Sequence, residues 1–151
     1  MKKAILIIGL GLFFATNIIA QNTPAILSMK ERARVIDELL EDKIETVLPQ
    51  IMRREGLDMW IVISREYNED PVIKTLLPAT WHAARRRTIL VMFDRGDGKG
   101  VEKLAVARYD VGTNFKKAWN PEEEPDQWER LAEIIKERDP KKIGVNKSKH
   151  F

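Results

Sequence analysis

The first clear pattern of hydrophobic and polar positions begins after Ser28. Charged residues separate apolar ones that recur at helical spacing, and this apolar stripe consists of Met29, Ala33, Ile36, Leu40, Ile44 and Val47. Ser28 and Glu31 match a capping box, which marks the start of a helix. Pro49 lacks an amide hydrogen and clashes with the preceding turn of a helix. The pattern therefore predicts a long amphipathic helix over 29–47 and a second, short helix over 49–54.

The middle of the chain contains runs of β-forming residues. Residues 59–64 form a continuous apolar run, which is typical of a strand buried on both faces. A second strand is predicted over 88–93, and a glycine-rich turn over 94–100 separates it from a returning strand over 101–109. These segments predict a strand followed by a β-hairpin, with a helical turn over 72–77 in the first connection.

The last part of the chain returns to helical spacing and then to a strand. A polar loop over 110–124 precedes a helix over 125–138, which Pro140 ends, and 141–146 is a further strand. A helix that leads into a strand after a hairpin predicts a crossover onto an otherwise antiparallel sheet. The sequence therefore predicts an α/β layer fold with a mixed sheet.

Residues 1–20 have the layout of an export signal. Two lysines precede an uncharged stretch that runs from Ala4 to Ala20, after which the chain becomes polar. This layout predicts a signal peptide over 1–20, a linker over 21–28, and export to the periplasm or the extracellular space. The alternative is an uncleaved membrane anchor, for which this stretch is at the lower limit of length.

Charge and composition exclude several classes of function. The chain has 26 Lys+Arg and 23 Asp+Glu, a formal charge of +3, but two of the lysines lie in the predicted signal peptide. The exported chain is close to neutral, which argues against a nucleic-acid partner, and no membrane association is expected after cleavage. The chain has no cysteine and its histidines are His82 and His150. Disulfides, thiolate zinc sites and three-histidine metal sites are therefore excluded.

Three consecutive positive charges form a cluster at Arg85–Arg87. It could bind phosphate or nucleic acid, and Trp81 and His82 precede it. In a strand, however, alternate side chains point to opposite faces, which would split the cluster. We therefore expect a solvated or carboxylate-paired edge here, and a surface or structural role for His82.

Other motifs have simple structural interpretations. Lys99 is followed by glycine and a strand instead of Ser or Thr and a helix, so Gly96–Gly100 predicts a hairpin turn and not a phosphate loop. The acidic run Glu122–Asp126 favours the N-terminus of the following helix and is a poor metal site. Ser64 and Ser148 lack the glycines of a nucleophile elbow. The residues thus predict no catalytic and no metal-binding side chain.

The predicted element order is also that of ribonuclease-H-like domains, with three strands, a helix and a further strand. Nucleases of that fold use carboxylates on the first strand, the helix and the following strand to bind two metals. Here the first strand contains no carboxylate, and Asn146 stands at the exit of the last strand. The order therefore favours the fold without nuclease activity.

Three segments resemble a known family. Residues 48–71, 85–94 and 143–146 are similar to the N-terminal domain of the creatinase/prolidase family, most strongly to its exported Xaa-Pro aminopeptidase-like members. The resemblance covers most of residues 29–149. It is a likeness over runs of sequence and includes no catalytic motif.

The resemblance implies a fold and separate roles for two domains. Family members join a ribonuclease-H-like three-layer N-terminal domain to a pita-bread catalytic domain, in which Asp, His and Glu side chains bind two divalent ions of the Mn, Co or Zn type. No position in this chain matches those ligands, so no catalytic, cofactor or metal residue is carried over. The N-terminal domain is implied to narrow access to the active site and to support oligomer assembly.

The sequence thus predicts, over 29–151, the non-catalytic first domain of a secreted Xaa-Pro aminopeptidase-like metallopeptidase. Its expected partners are a pita-bread domain, in cis or in trans, and further copies of the chain. The expected contact surfaces are the helix over 29–47 and the loop over 110–124, with Trp119, Trp81 and His82 as interface candidates. For Trp119 the alternative is packing in its own core. The alternative function is a free-standing exported module that binds a small ligand or a protein.

Overall fold

The computed structural model describes residues 26–96 and 98–147. The chain divides into two compact units, Met1–Lys30 and Glu31–Phe151. In the first unit the described residues lack regular structure as far as Ser28, and a helix begins at Met29 as predicted. The predicted signal peptide over 1–20 and most of the predicted linker lie outside the described residues.

The helices and strands follow one another with short connections. In chain order the elements are α1 (Met29–Asp42), a π-helical turn (Lys43–Val47), α2 (Leu48–Arg54), β1 (Met59–Arg65), α3 (Pro71–Lys74), β2 (Arg87–Asp94), β3 (Val101–Val106), β4 (Lys116–Lys117), α4 (Gln127–Arg138) and β5 (Ile143–Val145). The predicted strands, the turn helix and the last helix are all confirmed, with ends shifted by a few residues.

The strands form one mixed sheet in the order β4-β3-β2-β1-β5. β2 pairs antiparallel with both β1 and β3, whereas β5 lies parallel to β1. The predicted mixed α/β sheet is therefore confirmed, as is the hairpin between β2 and β3. The sequence missed β4, which pairs parallel with β3 inside the predicted loop over 110–124. A strand of two residues is too short to show the alternation on which the prediction depends.

Both faces of the sheet are buried against helices. On one face Val62, Leu90 and Met92 pack with the residues of α1 and α2 that point inward. On the other face Ile61 and Val91 belong to a second cluster that includes residues of α4. β1 is thus buried on both sides, as its apolar run predicted, except at Ile63, which is 38% exposed.

The buried stripe of the N-terminal helices differs from the predicted one. The side chains that enter the core are spaced four residues apart, at Leu40, Ile44, Leu48 and Met52. Ile36 and Val47, which belong to the apolar stripe in the sequence, are 49% and 41% exposed. Val47 points outward because the wider π-helical turn keeps residues four apart, Ile44 and Leu48, on the inward face.

Pro49 lies in the first turn of α2, so the predicted second helix over 49–54 is confirmed with its start shifted by one residue. The α-helix ends at Asp42, the π-helical turn follows, and α2 begins at Leu48 with the proline in its first turn. The first turn of a helix tolerates proline because its amide positions have no partner there. A wider preceding turn also relieves the clash between the proline ring and the carbonyl four residues earlier.

Polar contacts define both ends of α4 and join its last turn to the sheet. Asp126 caps the helix by accepting from the amide of Trp128 at 2.8 Å, and Asp139 ends it in the left-handed conformation with φ 43°. At the last turn, the guanidinium of Arg138 donates to both carboxylate oxygens of Glu102 on β3, at 2.6 and 3.0 Å. This hydrogen bonding lowers the pKa of Glu102 below its usual 4.5.

We predict that Glu102→Gln lowers the free energy of unfolding at neutral pH. We also expect the free energy of unfolding of this variant to fall less than that of the unsubstituted chain when the pH is lowered. A carboxyl group whose pKa is lower in the folded chain stabilises the fold above its unfolded pKa, and this contribution is lost as the pH falls through the folded pKa. The substitution is expected to cost about 1–2 kcal/mol at pH 7, since the pair is charged but not fully buried.

Urea unfolding followed by circular dichroism at about pH 7 and about pH 3 measures this difference. Glu41→Gln is the matched control, because Glu41 is exposed and contributes to no described ion pair. Equal losses of stability on acidification in Glu102→Gln and in the unsubstituted chain would contradict the prediction.

Candidate functional site

The three interface candidates lie in different surroundings. Trp119 is only 8% exposed, belongs to the core cluster beneath α4, and donates from Nε1 to the carbonyl of Glu124 at 2.7 Å. The structure therefore places Trp119 in the core, which was the alternative given for it. Trp81 is half-buried, whereas His82 is exposed and forms no hydrogen bond or ion pair with the described residues.

A concave surface lies at one end of the sheet. There β1 ends, β2 begins and the chain leaves β3, and together they line a cavity of about 480 Å³. Guanidinium groups dominate this lining. We call it the arginine groove and define it by Arg65, Arg85, Arg86, Arg87 and Arg108.

The prediction that strand alternation splits Arg85–Arg87 was wrong. All three arginines line the same groove. Strand β2 begins only at Arg87, and Arg86 has a left-handed backbone with φ 52°. The three residues are therefore not an extended segment, and the alternation rule does not apply to them.

Sequence reasoning missed two members of the groove. Arg65 lies directly opposite Arg87 in the antiparallel pairing of β1 with β2, and Arg108 comes two residues after the end of β3. The predicted hairpin already indicated that Arg108 returns to the end of the sheet where β2 begins. The position of Arg65 depended on the register between β1 and β2, which the sequence did not specify.

Aromatic rings support three of the guanidinium groups. Arg85 lies 4.7 Å from the ring centre of Trp81 and 5.6 Å from that of Tyr109, and these two rings pack edge to face. Arg87 lies 4.8 Å from the ring of Trp128. A ring beneath the flat face attracts a guanidinium and leaves the N–H groups at its edge free to donate.

Arg108 has the third aromatic support, at the floor of the groove. Its guanidinium lies 5.9 Å from the ring of Trp119. Beside it, the buried side chain of Gln127 donates to the carbonyls of Val106 and Arg87 and so joins the start of α4 to the ends of two strands. The floor is therefore a rigid part of the core, while the charged groups above it are exposed.

The charged groups that line the groove are almost all positive. Glu66 is the one carboxylate among its described lining residues, and its side chain accepts from the backbone amide of Arg86 at 3.3 Å. None of the five arginines forms an ion pair with any carboxylate in the described part of the chain. Like charges placed directly opposite each other, as in Arg65 and Arg87, destabilise a strand pair.

A separate polar network joins residues from the segments that carry the family resemblance. Trp60 donates from Nε1 to Asn146 Oδ1 at 2.9 Å, and Asn146 donates from Nδ2 to Asp70 Oδ2 at 2.6 Å. Asp70 is buried and caps α3 through the amide of Val72. Each polar group has a partner, so the network fixes β5 and α3 to β1.

The remaining sequence motifs are structural. The glycine-rich segment turns β2 into β3, with the amide of Arg95 donating to Gly100 at 3.1 Å. Ser64 is buried, and its hydroxyl has no hydrogen-bond partner in residues 26–96 and 98–147. Within those same ranges no three His, Asp or Glu side chains converge on a possible metal position. No helix formed by the described residues has the length and apolar character to span a bilayer.

Comparisons with known proteins add no assignment. No protein-family model, no curated protein and no solved structure matches the chain. The functional argument therefore depends on the residues and on their arrangement in the fold.

We predict that Arg65→Gln raises the free energy of unfolding at low ionic strength. The substitution removes the positive charge opposite Arg87, and such a cross-strand pair is worth about 0.2–1 kcal/mol. The gain is expected to disappear at about 1 M salt, where exposed charges are screened. Thermal unfolding at both salt concentrations measures the change.

The matched control is Arg54→Gln, since Arg54 is an exposed arginine that pairs with the neighbouring Glu55 and lies outside the groove. It is not expected to raise stability. An equal or larger gain in the control would mean that overall charge, and not the opposed pair, limits stability.

Proposed function

We propose that the chain is the non-catalytic N-terminal domain of a secreted Xaa-Pro aminopeptidase-like metallopeptidase, with a ribonuclease-H-like three-layer fold. Its role is to narrow access to the active site of a pita-bread catalytic domain, in cis or in trans, and to support oligomer assembly. The catalytic domain would supply the two divalent metal ions, of the Mn, Co or Zn type.

The observation that carries this proposal is where the family-like segments lie in the fold. Residues 48–71, 85–94 and 143–146 provide α2 and the neighbouring strands β2, β1 and β5. The polar network of Trp60, Asp70 and Asn146 is built from the first and last of these segments. A likeness concentrated in adjoining scaffold elements supports a shared fold and a non-catalytic role.

Exposed apolar residues on the N-terminal helices support the assembly role. Ile36 and Leu39 lie three residues apart on α1 and are 49% and 63% exposed, and Val47 is exposed further along. Large apolar side chains grouped on one exposed helix surface are common where proteins associate. This segment belongs to the predicted amphipathic helix over 29–47, which we propose as the contact surface.

We predict that Leu39→Lys weakens self-association of the chain at least about tenfold, because it places a charge in an apolar contact. Sedimentation velocity over a range of protein concentrations measures the association constant. Gln50→Lys adds the same charge at another exposed position of the helical segment and is expected to leave the constant unchanged. A chain that remains monomeric at all concentrations would contradict the assembly role.

The genomic sequence downstream of residue 151 tests the remaining part of the proposal. An in-frame pita-bread domain with its Asp, His and Glu ligands would support the domain assignment. A gene that ends at this point in several related genomes would contradict it and favour the second candidate.

The second candidate is an exported module that binds a small ligand or a protein. The specific observation in its favour is the arginine groove, which has a volume in the range of small-molecule sites and a rigid floor. In this role the groove is the binding site and no catalytic domain is required.

A further inference from the structure

The arginine groove concentrates more positive charge than the fold requires. Its five guanidinium groups are exposed, and within the described residues they form no ion pairs. Other arginines of the chain are used differently. Arg53 pairs with Asp94, and Arg138 pairs with Glu102, so those cations link one element to another. The groove arginines link no elements through charge, and this leaves their donors available to a ligand.

Three of these guanidinium groups are also positioned in advance. The rings of Trp81 and Tyr109 flank Arg85, Trp128 lies beneath Arg87, and Trp119 lies beneath Arg108. Stacking restricts a long side chain before any ligand arrives, so less conformational entropy is lost on binding. The planar fork of guanidinium donors matches the paired oxygens of carboxylates and phosphates.

The groove arginines also repel one another and so destabilise the fold, and a bound anion would remove this repulsion. Arg65 and Arg87 are directly paired across β1 and β2, and the neighbouring arginines add to the same positive potential. A single monovalent anion cannot offset this density of charge. The volume of about 480 Å³ suits a small molecule with several anionic groups.

We propose that the arginine groove binds a small multivalent oxyanion, that is, a molecule with two or more phosphate or carboxylate groups. Arg85 and Arg108 are the principal ligand-binding residues, because each guanidinium is placed by a ring that lines or backs the groove. Arg65, Arg86 and Arg87 complete the positive field. This inference names the ligand class for the second candidate function. The domain role has separate tests, in the self-association constant and the downstream sequence, and does not depend on it.

Isothermal titration calorimetry on the folded chain tests the proposal with three small anions and, for comparison, a thymidine decanucleotide. Tripolyphosphate and citrate are expected to bind with one site per chain at about 20 mM salt, and acetate is not. Binding is expected to weaken steeply as salt rises to about 150 mM, because ions are released on association. Tighter binding of tripolyphosphate would indicate a phosphate-bearing ligand, and tighter binding of citrate a polycarboxylate.

Substitutions connect the binding to the groove. Arg85→Gln and Arg108→Gln are each expected to raise the Kd of the tighter probe about tenfold, as for loss of a charge-assisted bidentate contact. Arg54→Gln, outside the groove, is expected to change the Kd by less than about twofold. Circular dichroism checks that each variant is folded. If Arg85→Gln does not fold, Arg86→Gln is used in its place. In the described part of the chain Arg86 stacks on no ring, so its substitution removes no aromatic contact.

Three results would overturn the proposal. The first is no saturable binding of tripolyphosphate or citrate at low salt. The second is an equal loss of affinity in Arg54→Gln and Arg85→Gln, which would indicate an unspecific charge effect. The third is tighter binding of a thymidine decanucleotide than of either small anion, which would assign the groove to a polymer.

Discussion

The antiparallel pairing of β1 with β2 determines both the core and the arginine groove. Its register runs from Met59 opposite Phe93 to Arg65 opposite Arg87. Along most of this length the paired side chains are apolar and fill the space on both faces of the sheet. At the last pair the same register places the guanidinium groups of Arg65 and Arg87 side by side. The apolar pairs fix this register, so the two arginines remain opposite each other although their charges repel.

The floor of the groove depends on the second core cluster, to which Trp119 belongs. Trp119 and the side chain of Gln127 pack where β2 begins, β3 ends and α4 begins. Arg138 and Asp126 fix the two ends of α4, and the helix in turn fixes Trp128 beneath Arg87. The exposed charges therefore stand on rings that belong to, or are anchored by, buried structure. That combination distinguishes the groove from an ordinary solvated cluster of arginines.

Prediction from sequence succeeded where a pattern is local. The continuous apolar run over 59–64, the glycine-rich turn after β2 and the capped helix that starts beside Asp126 each identified its element. It failed where neighbours in space decide the outcome. The π-helical turn keeps Ile44 and Leu48 buried and leaves Val47 exposed, and β4 pairs with the edge of β3 in a segment that has no strand pattern of its own.

For the candidate site, the sequence by itself determined the residue types, above all a run of arginines that follows Trp81. The hairpin pattern already indicated Arg108 at this end of the sheet, but only the tertiary structure decided that Arg65 joins the run and that Trp119 lies in the core. The physical reason is that composition and periodicity are properties of neighbouring residues. Strand register instead results from packing across the whole sheet.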